Sequence, residues 1–92
     1  MRQDEVREVL EQVLAKYQES AQRPVPLLRG DSRPGEDCDQ LDSKEWPAVT
    51  AIIEVELGFD LPQDLELFSK GKEPRTLDEM AALICKFAPS VA

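Results

Sequence analysis

Six apolar residues near the start of the chain, Val6, Val9, Leu10, Val13, Leu14 and Tyr17, recur at offsets of 0, 3, 4, 7, 8 and 11. That rhythm is one stripe of an α-helix and does not fit the two-residue period of a strand. Glu5, Arg7, Glu8, Glu11 and Lys16 fall on the other face, and the pattern stops after Ser20. The spacing predicts a helix over about residues 3–19.

Residues 20–42 then read as a long loop, broken by Pro24, Pro26, Gly30, Pro34 and Gly35, with Val25, Leu27 and Leu28 expected to pin it to the core. So long a connection in a small domain implies function or local disorder. This one delivers Asp42-Ser43 to a second helix expected over about 43–57, with Asp42 or Ser43 as its N-cap and Pro47 in the first turn. Trp46, Val49, Ile53 and Leu57, spaced 3, 4 and 4, make its buried face with Ile52 beside it, and Gly58 is a natural stop. Leu61-Pro62, Leu65, Leu67 and Phe68 suggest a short helix or turn over about 63–69, ended by Ser69-Lys70-Gly71-Lys72-Glu73-Pro74. Thr76-Leu77-Asp78-Glu79 is a capping-box pattern. Met80, Leu83, Ile84 and Phe87 carry a last helix over about 76–87. No strand-like alternation is visible. The expectation is an all-α single domain over 1–92, a small four-helix bundle of three main helices plus a short third one.

The 92 residues suffice for one small core, and with five aromatic residues that core must be mostly Leu, Ile and Val. Charge is distributed unevenly. Residues 36–66 hold ten acids against the single base Lys44, a local net charge of −9 in a chain whose total is −8. Such a field repels nucleic acid and anionic lipid headgroups and attracts basic partners. No apolar run approaches the ~18 residues of a membrane span, and Arg2, Asp4, Glu5 and Arg7 leave no apolar signal core at the start. The expected setting is cytoplasmic and the expected state monomeric. Cys38 and Cys85 lack metal-ligand spacing and read as ordinary thiols, Cys85 as a small semi-buried hydrophobe.

The chain has no histidine. That removes Ser-His-Asp and Cys-His mechanisms, so a self-contained enzyme is not expected. Glycines 30, 35, 58 and 71 form no phosphate loop. The acids Glu36, Asp37, Asp39 and Asp42 lack the alternation and central glycine of a calcium loop, so no metal is expected. Ser43 is left with two readings, a simple N-cap or a hydroxyl that carries an esterified anion at the positive end of a helix. Trp46 also has two, a core anchor or an exposed partner contact.

Leu41-Asp42-Ser43, the following run with Val49, Ile53 and Leu57, the Phe59-Asp60-Leu61-Pro62 exit and the Thr76-Leu77-Asp78-Glu79 start of the last helix together resemble the acyl carrier protein family, which includes peptidyl and aminoacyl carriers. The resemblance covers most of the chain in pattern more than in identity. It implies a four-helix domain in which Ser43 takes phosphopantetheine from a phosphopantetheinyl transferase. The terminal thiol of the arm would hold an acyl or aminoacyl group loaded by a ligase or synthase. It further implies that Asp42 sits beside the phosphate or helps a transferase place its metal, and that Lys44, Pro47, Ala48, Ala51, Glu54 and Val55 face partner enzymes. Two positions differ from the family pattern. Lys44 stands where Leu or Met is usual, and Asp39-Gln40 replaces the usual Leu-Gly. The competing expectation is an acidic helical interaction module with the same kind of fold and no prosthetic group, a reading that Lys44 favours.

Overall fold

The computed structural model describes residues 2–88, in the order α1 (Gln3–Ser20), α2 (Pro34–Asp37), α3 (Trp46–Leu57), β1 (Ser69–Lys70), β2 (Glu73–Pro74) and α4 (Leu77–Cys85). α1 is the central element and packs against both α3 and α4. Its stripe forms as the spacing predicts: Val6, Leu10, Val13 and Leu14 are buried, and Val9 and Tyr17 are half-buried against them. Val49, Ile53 and Leu57 of α3 and Leu77, Met80, Ala81 and Ile84 of α4 close the core with Leu61, Leu67 and Phe68. Each such Leu or Ile side chain contributes roughly 1.5–3 kcal/mol by leaving water. None of the described helices is long and apolar enough to cross a membrane.

The molecule is a small, mostly helical bundle, but its fourth helix is not where the sequence pattern placed it. That helix is the single turn α2, inside the long connection. Residues 63–69 hold no helix but a turn at 63–64, the other form expected there, and from Ser69 the chain pairs antiparallel with Glu73–Pro74, Ser69 opposite Pro74 and Lys70 opposite Glu73. The reason is local. Gly71 takes φ 62, Arg75 donates its N–H to the Phe68 carbonyl at 2.9 Å, and its Nε donates to the Glu66 carbonyl at 2.9 Å. The expectation of no strands is corrected by this two-residue ladder.

The connection between α1 and α3 is pinned differently from the expectation. Val25 and Leu27 are exposed, whereas Pro34, Cys38 and Leu41 are buried and Leu28 is half-buried. Its carbonyls also complete the start of α4: Leu77 N–H donates to Ser32 and Asp78 N–H to Gly30, both at 2.9 Å. The capping box forms as the motif predicts, with Glu79 N–H on the Thr76 hydroxyl at 3.1 Å and Thr76 N–H on the Glu79 carboxylate at 2.9 Å. Four orphan donors are thereby satisfied. α4 ends at Cys85, two residues short of the expected limit, and leaves Phe87 exposed.

Candidate functional site

α3 begins at Trp46, three residues beyond Ser43, and this corrects the expectation that Asp42 or Ser43 caps it. Asp42 spends its side chain on a tighter structure: its Oδ1 accepts Lys44 N–H at 3.0 Å while its carbonyl accepts Glu45 N–H at 3.0 Å. This Asx turn competes with a helical start. Glu45 becomes the N-cap residue, without a side-chain cap bond, and Pro47 falls in the first turn, where its missing N–H does no harm. Ser43 is exposed at the apex of the turn. Among the described residues its hydroxyl has no hydrogen-bond partner.

One groove borders this turn. It has a volume of about 930 Å³ and runs between α3 and the segment 60–69, with Ser43, Trp46, Pro47, Thr50 and Glu54 on one wall and Leu65 and Phe68 among the residues opposite. Trp46 is half-buried there. Its ring stacks on Phe68, and its Nε1 donates to the Leu41 carbonyl at 3.4 Å. That contact supports the core-anchor reading of Trp46.

The eight residues expected to act together divide into three groups. Ser43, Pro47 and Glu54 line the groove. Ala48, Ala51 and Val55 are exposed at spacings of 3 and 4 on α3 and form a separate ridge, with Val55 78% exposed. Asp42 and Lys44 are exposed on either side of Ser43 in the turn. Glu54, expected to face partners, has a tie within the fold. It is half-buried, and its Oε2 accepts Leu61 N–H at 2.7 Å, so it holds the exit of α3 behind the Gly58 stop at φ 83. Ile52, expected beside the buried face, is 42% exposed.

The sequence reading missed the residues behind the turn. Gln18 is fully buried, and its Nε2 donates to the Asp39 carbonyl at 2.8 Å. Arg23 makes a two-pronged pair with Glu45, both N···O distances being 2.5 Å. The pair raises the Arg23 pKa and lowers that of Glu45, chiefly through the hydrogen bonds themselves. Tyr17 titrates above its ordinary value because it is desolvated and because the Glu45 carboxylate lies beside it. A signal for Gln18 existed: it follows Leu14 by four residues, on the buried stripe. Arg23 had none.

Among the described residues, no three His, Cys, Asp or Glu side chains gather in an arrangement for a metal ion. The thiol of buried Cys38 is pushed up to about 11 by desolvation, with Asp37 adding to the effect, which marks it as unreactive. The chain matches no family model, no curated protein and no solved structure.

Proposed function

We propose that this protein is a carrier: Ser43 holds a phosphopantetheine arm whose thiol bears an acyl or aminoacyl group for the enzymes of a biosynthetic pathway. The observation that carries this reading is the placement of Ser43, an exposed and unengaged hydroxyl at the apex of an ordered turn on the rim of a groove of about 930 Å³. A transferase can reach it without unfolding anything. The Ser43 oxygen would displace adenosine bisphosphate from coenzyme A, forming one P–O bond as another breaks and giving its proton to the transferase. The arm, once attached, supplies the thiol on which cargo is carried.

The residues present fit that group. Lys44, the one cation in the acidic stretch, is adjacent and exposed, so it can pair with a phosphodiester. Gln40, in the place where carrier proteins usually have glycine, takes φ 59, a conformation glycine adopts at no cost. The surrounding acids suit repeated, fast encounters with basic partner enzymes. Incubation with coenzyme A and a broad-specificity transferase should add one phosphopantetheine by intact mass, and Ser43→Ala should abolish it. Absence of the adduct with every transferase tried, including one from the native host, would sink the proposal.

A second reading is favoured by the exposed ridge Ala48, Ala51 and Val55: an acidic interaction module that docks a basic partner without a prosthetic group. It predicts salt-sensitive partner binding that survives Ser43→Ala and fails when the exposed Glu56 is reversed to Lys. Loss of that binding in a folded Ser43→Ala protein would count against it.

A further inference from the structure

Arg23 holds the stretch that presents Ser43 from behind. α1 ends in a Schellman closure: Gln22 takes φ 58, its N–H donates to the Glu19 carbonyl at 3.0 Å, and Arg23 N–H donates to the Gln18 carbonyl at 2.9 Å. The chain is turned back, with Arg23 tied to the last turn of α1. Its Nη1 and Nη2 meet the two carboxylate oxygens of Glu45 at 2.5 Å each, and Nη1 also reaches the Gln40 carbonyl at 3.4 Å and the Gln18 side-chain oxygen at 3.5 Å.

Gln40 and Glu45 are the two residues that flank Leu41-Asp42-Ser43-Lys44. One guanidinium therefore grips both ends of the segment, and buried Gln18 fixes the Asp39 carbonyl just before it. The Arg23 and Glu45 side chains are only 15% and 25% exposed, so the pair is partly shielded from solvent. A planar fork is the side chain that can hold two carboxylate oxygens in a fixed orientation.

We propose that Arg23 is a positioning residue for Ser43. Acting through Glu45 and the Gln40 carbonyl, it fixes the Asp42-Ser43-Lys44 turn in the one conformation offered to the modifying enzyme; this rests on the carrier reading given above. Phosphoryl transfer needs its nucleophile in line, and a displacement near 1 Å costs on the order of 100-fold in rate. Without the fork, the segment keeps the burial of Leu41, the Asx turn of Asp42, the Trp46 bond to the Leu41 carbonyl and the backbone bonds of Leu41 and Asp42 to Cys38 and Gln40, none of which ties Glu45 to the end of α1.

The test compares wild type, Arg23→Gln, Glu45→Gln and Arg23→Lys with coenzyme A and a broad-specificity phosphopantetheinyl transferase, after circular dichroism and thermal melting have shown each to be folded. Both glutamine variants should lose about 10- to 100-fold in kcat/KM for modification, mostly in kcat, and Arg23→Lys should recover part of it by keeping the charge without the fork. A merely structural role would lower the melting temperature and leave kcat of the folded protein unchanged. Amide hydrogen exchange on the unmodified protein gives a second readout: Arg23→Gln should speed exchange at Lys44 and Glu45 and leave Met80 to Ile84 protected. If wild type is modified and Arg23→Gln is modified at the same rate, the positioning role is overturned and the carrier reading stands. Wild type that takes no phosphopantetheine overturns both. Unaltered exchange at Lys44 and Glu45 in Arg23→Gln overturns the clamp whatever the transferase does.

Discussion

The indole of Trp46 lies on the ring of Phe68, with centroids 5.4 Å apart and planes 15° from parallel. This stack joins the first turn of α3 to Phe68 in the segment 60–69, and both rings line the groove beside Ser43. Phe68 is 1% exposed, so Phe68→Ala should cost about 3–5 kcal/mol, and Phe68→Leu, which keeps most of the apolar volume, distinctly less. Trp46 is the single tryptophan and reports directly on the stack. Its emission should shift to the red in native Phe68→Leu, and denaturant unfolding followed by the same signal gives the stability change.

Two glutamines sit in left-handed backbone, Gln22 at φ 58 and Gln40 at φ 59. A non-glycine residue there costs about 1–2 kcal/mol, and glycine returns about 0.4–1 kcal/mol of that through the freedom of the unfolded chain. Gln22→Gly and Gln40→Gly should each therefore stabilise by about 0.5 kcal/mol, whereas Gln40→Val should destabilise by 1 kcal/mol or more, by the usual cost of a β-branched residue in that region. Denaturant midpoints at constant slope decide the signs.

Two carboxyls make the fold sensitive to acid. Thr76 N–H and hydroxyl hold Glu79 below the ordinary glutamate range, and Arg23 does the same for Glu45. A depressed folded value means that the stabilisation is complete above the unfolded pKa and is lost as pH falls through the folded one. Melting temperatures taken from neutral pH to about pH 3, below the ordinary glutamate value, should fall for wild type and fall less for Glu79→Gln, which keeps the capping-box hydrogen bond without the charge. An equal fall in both would contradict the assignment to Glu79.

The thiols should differ in reactivity. Cys38 is 3% exposed and held as a neutral thiol, whereas Cys85 is half-buried. Alkylation at pH 8 should label Cys85 first and reach Cys38 only on unfolding, which peptide mass mapping of a time course would show.

The helical stripes of α1, α3 and α4 were legible because burial follows a 3.6-residue period, and the Gly58 stop and the Thr76–Glu79 capping box because each rests on side-chain chemistry within four residues. What failed to show depended on contacts distant in sequence. Nothing near Arg23 announces Glu45, 22 residues later. The start of α3 moved from Ser43 to Trp46 because an Asp side chain can build an Asx turn as readily as an N-cap. The hairpin at 69–74 was hidden for a different reason: two-residue strands are too short to display alternation. Ser43 was visible in the sequence, but its groove required Phe68 and Trp46 to meet across 22 positions of chain.

The intact mass of the protein purified from its own host reads directly whether Ser43 carries phosphopantetheine. With Ser43 as the attachment point, the protein is heavier by one phosphopantetheine, with or without cargo in thioester linkage, and peptide mapping places the adduct on Ser43. Protein recovered wholly at its unmodified mass from cells that use it, or an adduct on any residue other than Ser43, would contradict that attachment.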